Sequence, residues 1–301
     1  MSLSPPSPSP NLARGELLPA WDVRTSESAR GLCLAREKGW LLNWNDKNWL
    51  QLLGRSGQPQ GQAHLPDEVT AAGCADDGSA IVAGGGRGQV WWFAPDLTLR
   101  WERTVSGKVL AVAVDLFGQC VAVADSQGRL YILDRLGRAV STTQSQRPLH
   151  HLAFVPTAPL LVGAADYGLV AVLDFSGQVK WREGVVAHIG SVAVNEDGSR
   201  IALACFSEGV QQYSATGQNL GRVTLPEPCR LAALSFDGGL ILCAGMSPKL
   251  FLLDQAGQLL YSHSLDRPAA GIALAPLGDA AAVALPHGRV LGLDLRSLPS
   301  R

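Results

Sequence analysis

The chain is poor in charge. Asp, Glu, Lys and Arg supply 17% of its 301 residues, against roughly 25% in an ordinary soluble domain. The 25 basic and 26 acidic side chains leave a net charge of −1. That balance offers no electrostatic footprint for nucleic acid or an anionic membrane, so neither is expected as a partner. Long apolar runs are missing too. The best stretch, Pro268 to Leu285, is broken by Pro276 and Asp279, short of the roughly 18–20 unbroken apolar residues of a spanning helix. The opening Met-Ser-Leu-Ser-Pro-Pro-Ser-Pro-Ser-Pro has neither the basic nor the apolar segment of a secretory signal. Six cysteines, with no Cys-x-x-Cys among them, fit neither a disulfide scaffold nor a zinc site. These absences predict a cytoplasmic protein with reduced thiols and no membrane insertion.

What the chain does have is a repeat. Turn glycines stand at Gly39, Gly78, Gly118, Gly198, Gly238 and Gly278, with Pro156–Pro159 at the skipped position. A second series runs Gly88, Gly128, Gly168, Gly209 and Gly288, with Lys249 where a glycine is due. A third runs Gly57, Gly137, Gly177, Gly217 and Gly257, while Trp21, Trp101, Trp181 and Tyr261 fall 80 apart. All keep one period of 40, to within a residue. Between the glycines lie short Val-, Leu- and Ile-rich runs such as Val109–Val114, Cys120–Ala124 and Arg129–Leu133. Runs of this length between Gly, Asp and Ser turns are strands. Strict alternation is weak, which predicts strands buried on both faces. Four strands per repeat, seven times over from about residue 29 to 297, predict an all-β, seven-bladed β-propeller over residues 12–301.

The segment from Gly168-Leu-Val-Ala-Val-Leu-Asp174 through Gly177 to Trp181 resembles a repeat of the WD40/quinoprotein-like (PQQ-like) propeller superfamily. Gly128 to Gly137 with Leu133-Asp134, and Leu250 to Tyr261 with Leu253-Asp254 and Gly257, are similar. The resemblance covers nearly all of the chain after residue 14 and implies the fold, not an activity. The Gly-His dipeptides of WD40 repeats are missing, and Trp-Asp occurs once, at Trp21-Asp22, rather than blade by blade. Also missing are the vicinal cysteines, eighth blade and export signal usual in quinone-binding relatives.

The last repeat supplies Ala269–Ala275, Ala280–Leu285 and Arg289–Leu295, one strand too few. Near the start, Gly15-Glu-Leu-Leu18 and Trp21 echo Gly257-Gln-Leu-Leu260 and Tyr261. An N-terminal strand, Gly15–Trp21, is therefore expected to complete the last blade and remove its open edge. Residues 1–11 read as a disordered Ser/Pro-rich tail.

Chemistry is harder to find. Gly84-Gly-Gly-Arg-Gly88 precedes another strand rather than a helix, so it is a hairpin turn and not a phosphate cradle. Of the six histidines only His150, His151 and His188 can be neighbours, and no carboxylate or cysteine accompanies them at equivalent positions. Cys33 and Cys74 are read at matching positions on the first strands of blades 1 and 2, Cys120, Cys205 and Cys243 on second strands, and Cys229 in a loop beside Arg230. No catalytic residue, cofactor site or metal site is expected. The expectation is a non-catalytic, monomeric scaffold that docks a protein or a multiprotein assembly. The alternative is a small-molecule-binding or catalytic propeller (a lyase, a hydrolase or quinoprotein-like) using the central channel.

The turns within blades are uniform on one face, whereas the links between blades differ: Leu65-Pro-Asp-Glu68, Gln146-Arg-Pro148 and Pro226-Glu-Pro-Cys-Arg230, for example. Loop diversity on a rigid frame suits recognition. Blades 4 to 6 carry Arg147, His150, His151, Tyr167, His188, Phe206, Arg230 and Met246 on that second face. These are the expected partner-binding residues, and an acidic or mixed-surface partner is expected.

Overall fold

The computed structural model describes residues 19–25 and 27–296. The described strands form seven four-stranded antiparallel sheets arranged as the blades of a propeller. Blade 1 runs from its inner strand, Ala29–Ala35, through Trp40–Asn45 and Trp49–Leu53 to its outer strand, Pro59–His64. Blades 2 to 6 repeat this pattern. No helix among the described residues is long and apolar enough to cross a membrane.

The turn glycines explain the period. All sixteen glycines of the three series have positive φ, from +60° at Gly118 to +90° at Gly217. That region is open to glycine at little cost. The Leu-Asp dipeptides are turn caps: Asp134 Oδ1 accepts the main-chain N–H of Leu136 and Arg138, and Asp174 and Asp254 repeat the arrangement.

The core is not central. It consists of seven apolar clusters, one in each seam between neighbouring blades. Second strands such as Ile201–Cys205 are therefore buried along their whole length, while outer strands such as Pro59–His64 alternate between exposed and half-buried. This is why apolar–polar alternation is weak in the sequence.

Pro19–Arg24 pairs with Arg289–Asp294 as the outer strand of blade 7. Closure by an N-terminal strand is thus present, with a shifted register. Trp21 lies opposite Gly292 as Tyr261 lies opposite Leu252, so Pro19 and Ala20 occupy the places of Leu259 and Leu260. Gly15–Leu18, read as the start of that strand, and the 1–11 tail lie outside the described residues.

In six blades the inner strand carries a register shift after its first residue, as at Val69/Ala71 and Leu149/His151. The extra residue is Arg30, Thr70, Leu110, His150, Gly190 or Arg230, at the rim where the inter-blade links arrive. At Gly190 the neighbouring blade comes very close: a Cβ there would lie 2.2 Å from the Arg230 carbonyl oxygen. Gly190→Ala is expected to cost about 2–3 kcal/mol, because main chain must move. At Gly184 a Cβ meets nothing within 4 Å, and Gly184→Ala should be near neutral by urea unfolding. Similar midpoints for the two variants would show that this approach does not constrain the ring.

Candidate functional site

Turns between first and second strands, and between third and fourth, share one face of the disc. The other face is built from the inter-blade links and the turns between second and third strands. On this link face, the blade 4 turn Asp166-Tyr167-Gly168 is a point of convergence. The Asp166 N–H donates to His150 Nδ1 at 3.3 Å, and the Asp166 carbonyl accepts the Ile189 N–H at 2.8 Å. Tyr167 forms an isolated antiparallel bridge with His188, their rings 5.1 Å apart. His188 Nδ1 lies 3.7 Å from Asp166 Oδ2. The Arg147 guanidinium lies over Gly168, 3.5 Å from where a Cβ would stand. The Phe206 N–H donates to the His188 carbonyl at 3.0 Å, tying the blade 5 turn to the same link. Five of the eight expected residues are therefore brought together: Arg147, His150, Tyr167, His188 and Phe206.

The other three are placed differently. His151 is turned into the seam between blades 4 and 5, where its Nε2 lies 2.9 Å from the Ile189 carbonyl oxygen. Burial pushes its pKa down to about 4. Arg230 is half-buried and its guanidinium donates to the Ala269 carbonyl. Desolvation lowers its pKa from the usual arginine value. Met246 is 53% exposed on blade 6. Tyr167 and Val186 add exposed apolar surface to the same face, at 41% and 83%. Between the blade 5 turn and the 5–6 link lies a cavity of 440 Å³ lined by Phe206, Glu208 and Arg222, the last two forming an ion pair.

A second polar cluster on this face was not anticipated. Glu68 accepts a 2.6 Å hydrogen bond from Arg30 and lies 3.6 Å from Lys108 Nζ. The Arg30 hydrogen bond, with Lys108 nearby, holds the Glu68 carboxyl below its ordinary range. The signal was available: Arg30 stands 120 residues before His150 and 200 before Arg230, at the same bulge position of the repeat. Cys229 is also placed differently from its loop reading. It opens the blade 6 inner strand and is fully buried.

The central channel contains a cavity of 340 Å³ walled by side chains such as Leu32, Val112, Leu152, Val192, Leu234 and Ile272. At its turn-face mouth Arg36 forms a bidentate pair with Asp76, Nη2 to Oδ2 at 2.6 Å, and its Cζ lies 5.1 Å from the centre of the Phe236 ring. The polar groups at that mouth thus satisfy one another. Among the described residues no group of three or more His, Cys, Asp or Glu side chains could hold a metal ion. No protein-family model matches this chain, and no curated protein matches it.

Proposed function

We propose that this propeller, of the WD40/quinoprotein-like type, is a non-catalytic, cytoplasmic interaction scaffold whose protein partner docks on the link face of blades 4 to 6. The observation that carries this reading is the convergence of Arg147, His150, Tyr167 and His188 around one turn, with Val186 exposed on the adjoining link and Met246 exposed on the same face of blade 6. Aromatic, Arg and Met side chains are the enriched anchors of protein interfaces. Here a rigid sheet positions them while the solvated links vary from blade to blade. Arg147 and the histidines favour an acidic or mixed partner surface. The channel is the poorer candidate, because the arginine at its mouth is already neutralised by Asp76.

The test is a triple variant of exposed side chains, Arg147→Glu, Tyr167→Ala and Met246→Ala. Its control is Phe117→Ala with Leu277→Ala, which alters exposed residues on the turn face. In crosslinked pull-downs read by mass spectrometry, the triple variant should lose the main partner while the control keeps it. Loss of an anchor typically costs about 2 kcal/mol, or roughly 30-fold in affinity. Both variants should melt with the parent. Capture that survives the triple variant and disappears in the control would move the docking site to the other face.

A further inference from the structure

We propose that Cys33 and Cys74 form a peroxide-responsive dithiol in the channel wall, closing to a disulfide that joins blades 1 and 2. The two sulfurs lie 3.4 Å apart, in S–H···S contact, on the inner strands Ala29–Ala35 and Val69–Cys74 of adjacent blades. A disulfide needs about 2.05 Å, which leaves a small closing movement.

The pair arises from two coincident departures from the repeat. The place of Cys33 is taken by Gly73, Ala113, Ala153, Ala193, Ala233 and Ala273 in the other blades, and the place of Cys74 by Leu34, Val114, Phe154, Val194, Leu234 and Leu274. This seam brings the two sulfurs into contact across two blades. The contact runs between sheets, so closing it breaks no ladder hydrogen bond. Cys33 and Cys74 both line the 340 Å³ channel cavity, which gives a small oxidant room to approach.

Arg36 and Asp76 are the charged groups nearest the pair. The S–H of Cys74 favours a thiolate at Cys33 and draws its pKa down against the opposing effect of burial, with Arg36 assisting and Asp76 opposing. Cys74, as the donor, is pushed up. Cys33 is half-buried where Cys74 is buried, so it is the sulfur an oxidant in the cavity meets first and the one that attacks. Its thiolate attacks one oxygen of the hydroperoxide, the O–O bond breaks and hydroxide leaves to be protonated, giving a sulfenic acid. Cys74 then attacks that sulfur, the S–O bond breaks and a second water leaves. Two thiols lose two electrons and hydrogen peroxide is reduced to two waters.

The remaining cysteines provide an internal comparison. Cys229 and Cys243 share one sheet but face Gly245 and Ala232 across the ladder, and both are 0% exposed. A hydrogen bond with Cys229 and burial push the Cys243 thiol up, and neither cysteine borders the channel cavity, so an oxidant lacks the approach open to Cys33 and Cys74.

The experiment is to treat the full chain, natively folded, with stoichiometric hydrogen peroxide, then denature it and count thiols. All six are free at the start. Two should be lost, the mass should fall by two hydrogens, and a peptide map should contain a Cys33–Cys74 link that dithiothreitol reverses. Cys33→Ala and Cys74→Ala should each keep all their remaining thiols at the same dose. Retention of six thiols, oxidation to sulfinic acid without a link, or a link mapped to Cys229 and Cys243 would overturn the proposal. The map on the unsubstituted chain decides even where a variant does not fold.

Discussion

Deleting residues 1–24 is expected to lower the unfolding free energy by about 4 kcal/mol or more, the scale of losing a half-buried Trp, a Val and a strand's hydrogen bonds. The seam this strand closes has the smallest buried core of the seven. Its buried residues are Ala29, Leu41, Leu53, Ala273, Ala282, Ala284 and Val290, four of them alanine, and the seam leaves a cavity of 520 Å³. Trp21 and Val23 pack against that sparse core. The Trp21 ring covers Gly292 so closely that a Cβ there would lie 2.1 Å from it. Without the strand, Arg289–Asp294 becomes an open edge and Arg289 loses its hydrogen bonds to Asp22. That ion pair is solvated and contributes less than about 1 kcal/mol, so Asp22→Asn should be mild. Trp21→Ala should cost about 3 kcal/mol. Urea unfolding of the three variants separates these contributions. A deletion with the midpoint of the full chain would show that blade 7 closes without its fourth strand.

The repeat was legible because its turns demand a left-handed residue at fixed places, and glycine marks them. Where another residue takes the place the series broke. Asn48 and Leu97 hold φ of 65° and 62° at the positions of Gly88 and Gly57 in their neighbours, and asparagine, but not leucine, is a recognisable substitute there. The phase of the closing strand was less legible. Leu17-Leu18 imitates Leu259-Leu260, yet Trp21 follows the repeat, and its fit over Gly292 is a contact between positions far apart in sequence. The link face was visible from its irregular loops, but side-chain direction on it was not. The bulge after Leu149 breaks the strict alternation of facing, so His150 meets the Asp166 turn and His151 the Ile189 carbonyl. The Cys33–Cys74 contact escaped a period of 40 because neighbouring blades meet with a stagger of one residue, 41 apart.

The placement of His151 has a measurable consequence for stability against pH. Its ring is neutral in the folded protein, with Nε2–H donated to the Ile189 carbonyl at 2.9 Å and a pKa near 4. Burial is the main cause, the positive form of His150 would add repulsion, and the Ile189 hydrogen bond and Asp166 act the other way. In the unfolded chain the same ring titrates near its ordinary value of about 6.5. Between those values the unfolded state binds a proton that the folded state refuses. Its contribution is complete above about pH 6.5 and is lost as pH falls toward 4. The loss should be about 2 kcal/mol at pH 5 and about 3 kcal/mol near pH 4. His151→Gln keeps an N–H donor for Ile189 and removes the titration. The difference between the two proteins' unfolding free energies, measured in urea from pH 7 to 4.5, isolates this group from the carboxylates. Asp174 and Asp294 have pKa values lowered by hydrogen bonds to Lys180 and Arg296 and lose their contributions only at still lower pH. A difference curve that stays flat over this interval would mean that the His151 ring reaches solvent, contrary to its seat in the seam.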